Sequence, residues 1–262
     1  MILLKHELKE MTKGLLIWSI SVGLICAGCI LLYKNLESQL SKTAQLYANM
    51  GDMTKALGMD KISLATLNGY FATEIVLMFG LGSTMFASMI GTSSLAKEEE
   101  GHTSEFLYSL PFSRWSILGW KLLSILLVLV FFNVLSMGLE ALAIWWIDLD
   151  FSWKSFLTYH GLAFIMQIEI VSLTFLISAI SRKKQLGLSI GLVLVMYVMD
   201  LMCRIIPDIK NLKYWTPFYL ANGSDIFSHS KLAETTLWLT LLISFLALLI
   251  SFIYYQKKDL SA

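Results

Sequence analysis

Ala96-Lys97-Glu98-Glu99-Glu100-Gly101-His102-Thr103-Ser104-Glu105-Phe106-Leu107-Tyr108-Ser109-Leu110-Pro111-Phe112-Ser113-Arg114 is a charged, helix-capable insert between segments that suit only lipid. That contrast decides the fold class. The flanks, 67–95 and 116–147, each exceed the roughly 20 apolar residues with which a helix crosses a hydrocarbon core of about 30 Å. Four more segments meet the requirement: 15–33, 157–181, 186–206 and 234–255. Several exceed it, which implies tilt or extension past the bilayer. Backbone amides in lipid must be satisfied within their own segment, and the alternation of a barrel strand is absent, so the spans are helices. The sequence therefore predicts one all-α membrane domain over 1–262 with six transmembrane helices.

Composition agrees. Of 262 residues, 56% are hydrophobic and 15% charged, with a mean hydropathy of +0.68, well above a soluble domain. A net charge of +1 gives no electrostatic case for nucleic acid. Lys5, Lys9 and Lys13 precede the first span, Arg182-Lys183-Lys184 separate the fourth and fifth, and Lys257-Lys258 follow the sixth. All fall on one side, which the positive-inside rule makes cytoplasmic, with both termini. Lys34, Lys42, Lys55, Lys61, Lys154, Lys210, Lys213 and Lys231 lie on the other side, diluted over longer loops. Cys26, Cys29 and Cys203 sit in apolar segments and build neither a disulfide framework nor a metal spacing. Cys26-Ala27-Gly28-Cys29 hints at a lipoprotein cleavage site, but a membrane-retained first helix is the expectation.

Residues 2–14 pattern as a short amphipathic helix, with Leu4, Leu8 and Met11 opposite Lys5, Lys9 and Glu10. It is expected to lie in the interface before the chain turns into the first span. Residues 34–66 read as an external loop in which Met50, Met53, Leu57 and Met59 suggest a short surface helix. Trp145, Trp146 and Trp153 mark an aromatic belt around the tight 148–154 connection. The 207–233 connection, with Pro207, Trp215, Pro217, Phe218 and Tyr219, is too aromatic for a free loop and should pack at the outer interface.

Within the insert, Gly101 breaks the extension of span two, and Thr103 or Ser104 can cap a new helix starting near Glu105. Pro111 ends that helix and Arg114 follows. Phe106, Leu107 and Leu110 make an apolar patch too small to fold alone. It calls for a groove in another protein or for the lipid surface, and a solvated loop brushing the bilayer is the alternative.

Residues 98–114, with Ile117 and Lys121, resemble the signature of ABC-2-type transporter permeases: an acidic run, Gly, Thr, Glu, two apolar residues, Pro, a pair with Arg, then Lys entering span three. The likeness extends over the whole length, including Trp-Thr-Pro-Phe at 215–218 and Tyr-Gln-Lys-Lys-Asp-Leu at 255–260. His102, inserted between glycine and threonine, departs from the pattern. The resemblance implies a non-catalytic subunit in which a cytoplasmic coupling helix between spans two and three sits in a groove of a separate ABC ATPase. It implies two ATPase copies, a second permease (the same or different), and ATP with Mg held by the ATPase rather than by this chain. A bacterial plasma membrane is expected. By similarity the coupling contacts map to Glu98, Glu99, Glu100, Gly101, Thr103, Glu105, Phe106, Leu107, Pro111 and Arg114. No Gly-x-x-x-x-Gly-Lys-Ser/Thr phosphate loop occurs in the chain.

Glu74, Glu140, Glu169, Asp200 and Arg204 interrupt the spans, and each needs a partner, protonation or a wet cavity. Asp200 and Arg204, four apart, can neutralise one another. The others either pair across helices or line a pathway. Ser83, Ala87 and Gly91 on span two, and Gly187 and Gly191 on span five, are small residues that permit close helix packing, within the chain or between permease halves. Two other functional classes share this composition. An intramembrane metalloprotease fails because His6, His102, His160 and His229 fall on opposite sides with no His-Glu-x-x-His spacing. A membrane sensor or assembly protein using the same fold is the remaining alternative.

Overall fold

The computed structural model describes residues 2–47, 54, 59, 61–104, 107, 111–229 and 234–258. Six of its helices are long and apolar enough to cross a membrane. They are α1 (Ile2–Tyr47), α2 (Leu67–Ser93), α4 (Arg114–Ile147), α5 (Trp153–Ile180), α6 (Leu186–Ile205) and α8 (Glu234–Lys257). Two further short helices among the described residues are α3 (Ala96–Glu100) and α7 (Gly223–Phe227). Among the described residues there is no strand.

α1 differs from the expectation. The amphipathic start, the first span and residues 34–47 form one unbroken helix of 46 residues, about 70 Å long at a rise of about 1.5 Å per residue. No proline interrupts it, and its glycines stand singly, each a helix cost of only about 1 kcal/mol. A turn at residue 14 would free backbone amides at the edge of the bilayer, so the continuous helix wins. Of the surface helix suggested by Met50, Met53, Leu57 and Met59, only Met59 is among the described residues.

α5 forms the centre of the bundle, packed between α2 and α8, while α6 lies on α2 and α1 runs along α4. Tyr159, Ala163, Met166, Ile170, Phe175 and Ala179 are buried along α5. The outer faces of α1, α4, α6 and α8 expose leucine, isoleucine, valine and phenylalanine, a surface that only lipid or another apolar helix satisfies. Trp145, Trp146 and Trp153 are exposed where α4 ends and α5 begins, in the belt position expected of them.

The two ends of the bundle differ in balance: aromatic packing dominates the end away from the termini, where Lys61 and Arg204 also pair with Asp225. At the end away from the termini, the Tyr33 hydroxyl donates to the Ala65 carbonyl at 2.7 Å, and the Ser152 amide donates to Asn68 Oδ1 at 2.9 Å. Residues 207–229 fold onto the bundle there as the 3-10 turns Pro207–Tyr214 and Pro217–Tyr219 followed by α7. The ring of Phe227 packs on Phe71 and Phe151 at centroid distances of 5.4 and 5.8 Å. α2 adopts a π-helical turn over Phe71–Ile75 beneath this cap. Gly223 approaches so closely that a Cβ there would stand 2.1 Å from the Ala72 carbonyl oxygen.

The small residues sort into two groups. Ser83, Ala87 and Gly91 are buried, and a Cβ on Gly91 would meet Thr174 Oγ1 of α5 at 2.2 Å and the Val171 carbonyl at 3.2 Å. Gly187 and Gly191 have nothing within 4 Å of such an atom. The first stripe therefore serves packing of α2 on α5 within the chain, whereas the α6 pair looks outward.

Gly91→Ala and Gly223→Ala should each destabilise the purified protein by about 1–3 kcal/mol, the first through overpacking against Thr174 and the Val171 carbonyl, the second against the Ala72 carbonyl. Gly187→Ala should change stability by less than about 0.5 kcal/mol. Thermal unfolding in detergent reads the difference, and equal shifts for all three variants would contradict these contacts.

Candidate coupling site

The insert begins with a turn whose partner lies far along the chain. α2 stops at Ser93, and the amides of Leu95 and Ala96 both donate to the Ser178 hydroxyl of α5, at 2.9 and 3.0 Å. That hydroxyl satisfies two of the amides a new helix start would leave open. α3 then lasts five residues and closes by a Schellman arrangement: the Thr103 amide bonds the Glu98 carbonyl at 2.9 Å and the His102 amide bonds Glu99 at 3.2 Å. The helix ends at Gly101, where the sequence reading puts the break, but that residue keeps φ −86°. His102 takes the left-handed φ of 53° that usually falls to glycine. The residue that departs from the family pattern is thus the one that takes the left-handed turn after α3.

The acidic run faces the protein. Lys121 of α4 is 1% exposed, and its ammonium donates to Glu7 Oε1 of α1 at 2.6 Å and to Glu98 Oε1 at 2.7 Å. Lys97 donates to Glu7 Oε2 at 2.7 Å and also pairs with Glu10. Glu99 is buried against Lys258, which also donates to the Ser181 carbonyl at 2.8 Å. Glu100, exposed, accepts from the Lys184 amide at 2.9 Å. Three consecutive glutamates thereby reach α4 with α1, the C-terminal segment, and the turn between α5 and α6. Arg114 fixes the same corner from the other side, donating to the carbonyls of Tyr255, Gln256 and Lys258 at 3.2, 3.0 and 2.9 Å. A cation on these open carbonyls complements the C-terminal end of α8.

Burial disfavours the Glu98 carboxylate, but the Lys121 ammonium outweighs it and holds the carboxyl below its usual range. Burial likewise opposes the Lys97 ammonium, and Glu7 and Glu10 together raise it above the ordinary lysine value.

The remaining insert residues divide into inward and outward sets. Leu107 is buried with Leu3 and Ile117, against Trp120, so this member of the apolar patch packs on its own chain. Gly101, His102, Thr103, Pro111, Phe112 and Ser113 are exposed, with the Thr103 hydroxyl donating to Glu98 Oε2 at 2.7 Å. Glu105, Phe106 and Leu110 lie outside the described residues.

Of the polar residues of the spans, Asp200 and Arg204 are paired, whereas both Glu140 oxygens and both His160 nitrogens lack a hydrogen bond among the described residues. Arg204 holds Asp200 through Nε at 3.1 Å and Nη2 at 2.9 Å, lies 3.6 Å from Asp225 and stacks over Tyr219. Glu140 is wholly buried, with Oε2 3.2 Å from His160 Nε2 across α4 and α5. Glu169 is 1% exposed and hydrogen-bonds Thr240 of α8, leaving its Oε2 without a partner among the described residues. Glu74 sits half-buried in the π turn, and among the described residues its carboxylate makes no hydrogen bond or ion pair. No group of three His, Cys, Asp or Glu side chains among the described residues is arranged to hold a metal ion.

Glu7, Lys97, Ser178, Lys184 and Lys258 were not singled out from sequence as members of this site. Glu7 carried a weak signal, a charge on an amphipathic segment. The others gave none, because their partners lie 77 to 159 residues away. Among comparisons with known proteins, the family model described as ABC-2 family transporter protein matches residues 1–260. No curated protein matches the chain.

Lys121→Met should cost about 3–5 kcal/mol, because it leaves two carboxylates facing each other where the ammonium stood. Adding Glu7→Gln should recover part of that loss, as read by thermal unfolding. The Glu98 pairing stabilises the fold above the ordinary carboxylate value of 4.5 and is lost as pH falls through the lowered folded value. Wild type should therefore lose melting temperature more steeply than Glu98→Gln on acidification below about pH 4.5. Parallel pH profiles would refute the pairing.

Proposed function

We propose, for a chain that belongs to the ABC-2 family of transporter proteins, that this membrane permease subunit couples ATP use by a separate ATPase to substrate export across the cell membrane. Membership makes it a multi-pass membrane component of an ABC transporter and implies association with an ABC ATPase. The finer reading rests on one observation: a short segment at the end carrying both termini is tied by ion pairs to α1, α4 and Lys258 beyond α8, and by a hydrogen bond to the 181–185 turn. Force applied there spreads at once to four elements of the bundle.

In this reading the contact residues mapped from the family take two roles. Gly101, Thr103 and Pro111, with Glu105 and Phe106, meet the ATPase. Glu98, Glu99, Glu100, Leu107 and Arg114 transmit the displacement into the spans. Phe112, exposed beside Pro111, adds an apolar contact to the docking face. Two ATPase copies carry ATP and Mg, and a second permease, identical or different, completes the transporter. The lysines and arginine before α1, between α5 and α6 and after α8 share the end that bears the insert, which supports a cytoplasmic position for both termini. Asp200 and Arg204 hold the opposite cap, and the unpaired Glu74 is the acid placed best to face a polar pathway.

Phe112→Asp should reduce co-purification with the partner ATPase by about tenfold or more, as expected for an apolar anchor. Glu99→Gln should keep that association and lower transport per ATP hydrolysed. Full association and full transport by the Phe112→Asp chain would sink the docking assignment. ATPase binding with no substrate movement under any condition would favour a sensor or assembly role.

A further inference from the structure

At the end carrying the termini, α5 stops at Ile180 and α8 at Lys257, and a groove of roughly 630 Å³ opens between them. Its walls are Ile180, Ile250, Ile253 and Tyr254, all exposed within the chain. Arg182 and Lys257 flank its mouth, and both are exposed. Among the described residues neither side chain makes an ion pair or hydrogen bond, and no acid lines the groove. Lys258, the third cation, is already committed to Glu99 and the Ser181 carbonyl. It fixes the end of α8 to the end of α5, so the groove is a fixed feature of the bundle rather than a gap between loose ends.

Depth identifies the environment. α5 is 28 residues long, about 42 Å, against a hydrocarbon core of about 30 Å. Its first turn carries Trp153 at the opposite belt, so its last turn reaches the headgroup layer. The isoleucine walls then lie among acyl chains, and the two unpaired cations lie among phosphates. Zwitterionic lipid would leave that positive charge uncompensated. A basic pocket between helix ends with apolar walls matches an anionic diacyl phospholipid in both parts.

We propose that this groove is a binding site for an anionic phospholipid, whose headgroup phosphate is held by Arg182 and Lys257 and whose acyl chain lies on Ile180, Ile250 and Ile253. Free phosphate or a soluble phosphate ester would engage only the cations and leave the apolar wall empty, so the occupant is the lipid. The occupied groove would clamp the α5–α8 corner that Glu99 also holds. The inference needs only that the chain spans a membrane, and it stands or falls separately from the coupling reading.

The test is native mass spectrometry of the full-length detergent-solubilised protein, titrated with phosphatidylglycerol or phosphatidylcholine of identical acyl chains. The wild type should retain one phosphatidylglycerol in preference to phosphatidylcholine by about tenfold, as two interfacial cations imply. An Arg182→Gln/Lys257→Gln double variant, with its unfolding temperature checked, should reduce that preference to within about twofold. A Lys34→Gln/Lys42→Gln control at the opposite end should leave it unchanged. Equal binding of both lipids by wild type, unaltered preference in the groove variant, or equal loss in the control would overturn the site. Displacement of the lipid by glycerol phosphate at comparable concentration would overturn the lipid assignment. An Ile250→Asn variant should weaken both lipids, and its failure to do so would remove the acyl contact.

Discussion

The terminal end of the bundle depends on one buried ammonium. Lys121, 1% exposed at the start of α4, stands between the carboxylates of Glu7 and Glu98. A lone lysine at that depth would carry a desolvation penalty of several kcal/mol, and either carboxylate alone would do the same. Together they are tolerable only if α1, α3 and α4 all keep their places. Lys97 reinforces the requirement by returning to Glu7 and Glu10. The positions of three helices are thus mutually conditional, and the insert cannot shift without a charge being either re-paired or exposed. This conditionality, more than any helix propensity in five residues, holds α3 in place.

How much of this was legible in sequence follows from the range of each signal. Six spans are readable because their apolar runs are contiguous, and every one appears as a helix. The join between the amphipathic start and span one was not, because a helix that leaves the interface and one that continues share the same local pattern. Asp200 and Arg204 were readable as a pair, being one helical turn apart. The acidic triplet is visible as a feature, but the break at Ser94–Leu95 ahead of it is not. Nor are the groups that hold the insert: Ser178, Lys184 and Lys258 lie beyond any local spacing rule. His102 is instructive in the other direction. It was seen as a departure from a pattern centred on Gly101, and it is the residue that takes the left-handed conformation. Gly101 caps the helix where the sequence reading ends it, and the left-handed conformation falls one position later.

The contrast between the two ends gives the bundle a mechanical asymmetry. Away from the termini, Arg204 and Lys61 also form ion pairs, but rings of Phe71, Phe151, Phe156 and Phe227 interlock, and Gly223 touches backbone too closely to admit a methyl group. Such packing has one arrangement, since displacing a close-packed ring opens a void at a cost on the order of 1 kcal/mol or more. At the terminal end the elements are joined by ion pairs. Two lysines already serve three carboxylates, Glu7, Glu10 and Glu98, at 2.6 to 2.7 Å for the longer-range contacts to Glu7 and Glu98. A shared ammonium can change which carboxylate it favours without leaving either unpaired, because its donors are already divided. A small displacement of the insert therefore has a graded route into α1 and α4, while the opposite cap resists it. Under the proposed coupling, movement would enter through Glu98 and Glu99 and pivot about the aromatic end. The α5 centre, hydrogen-bonded at Ser178 to the α2–α3 turn, would carry that movement along the bundle's axis.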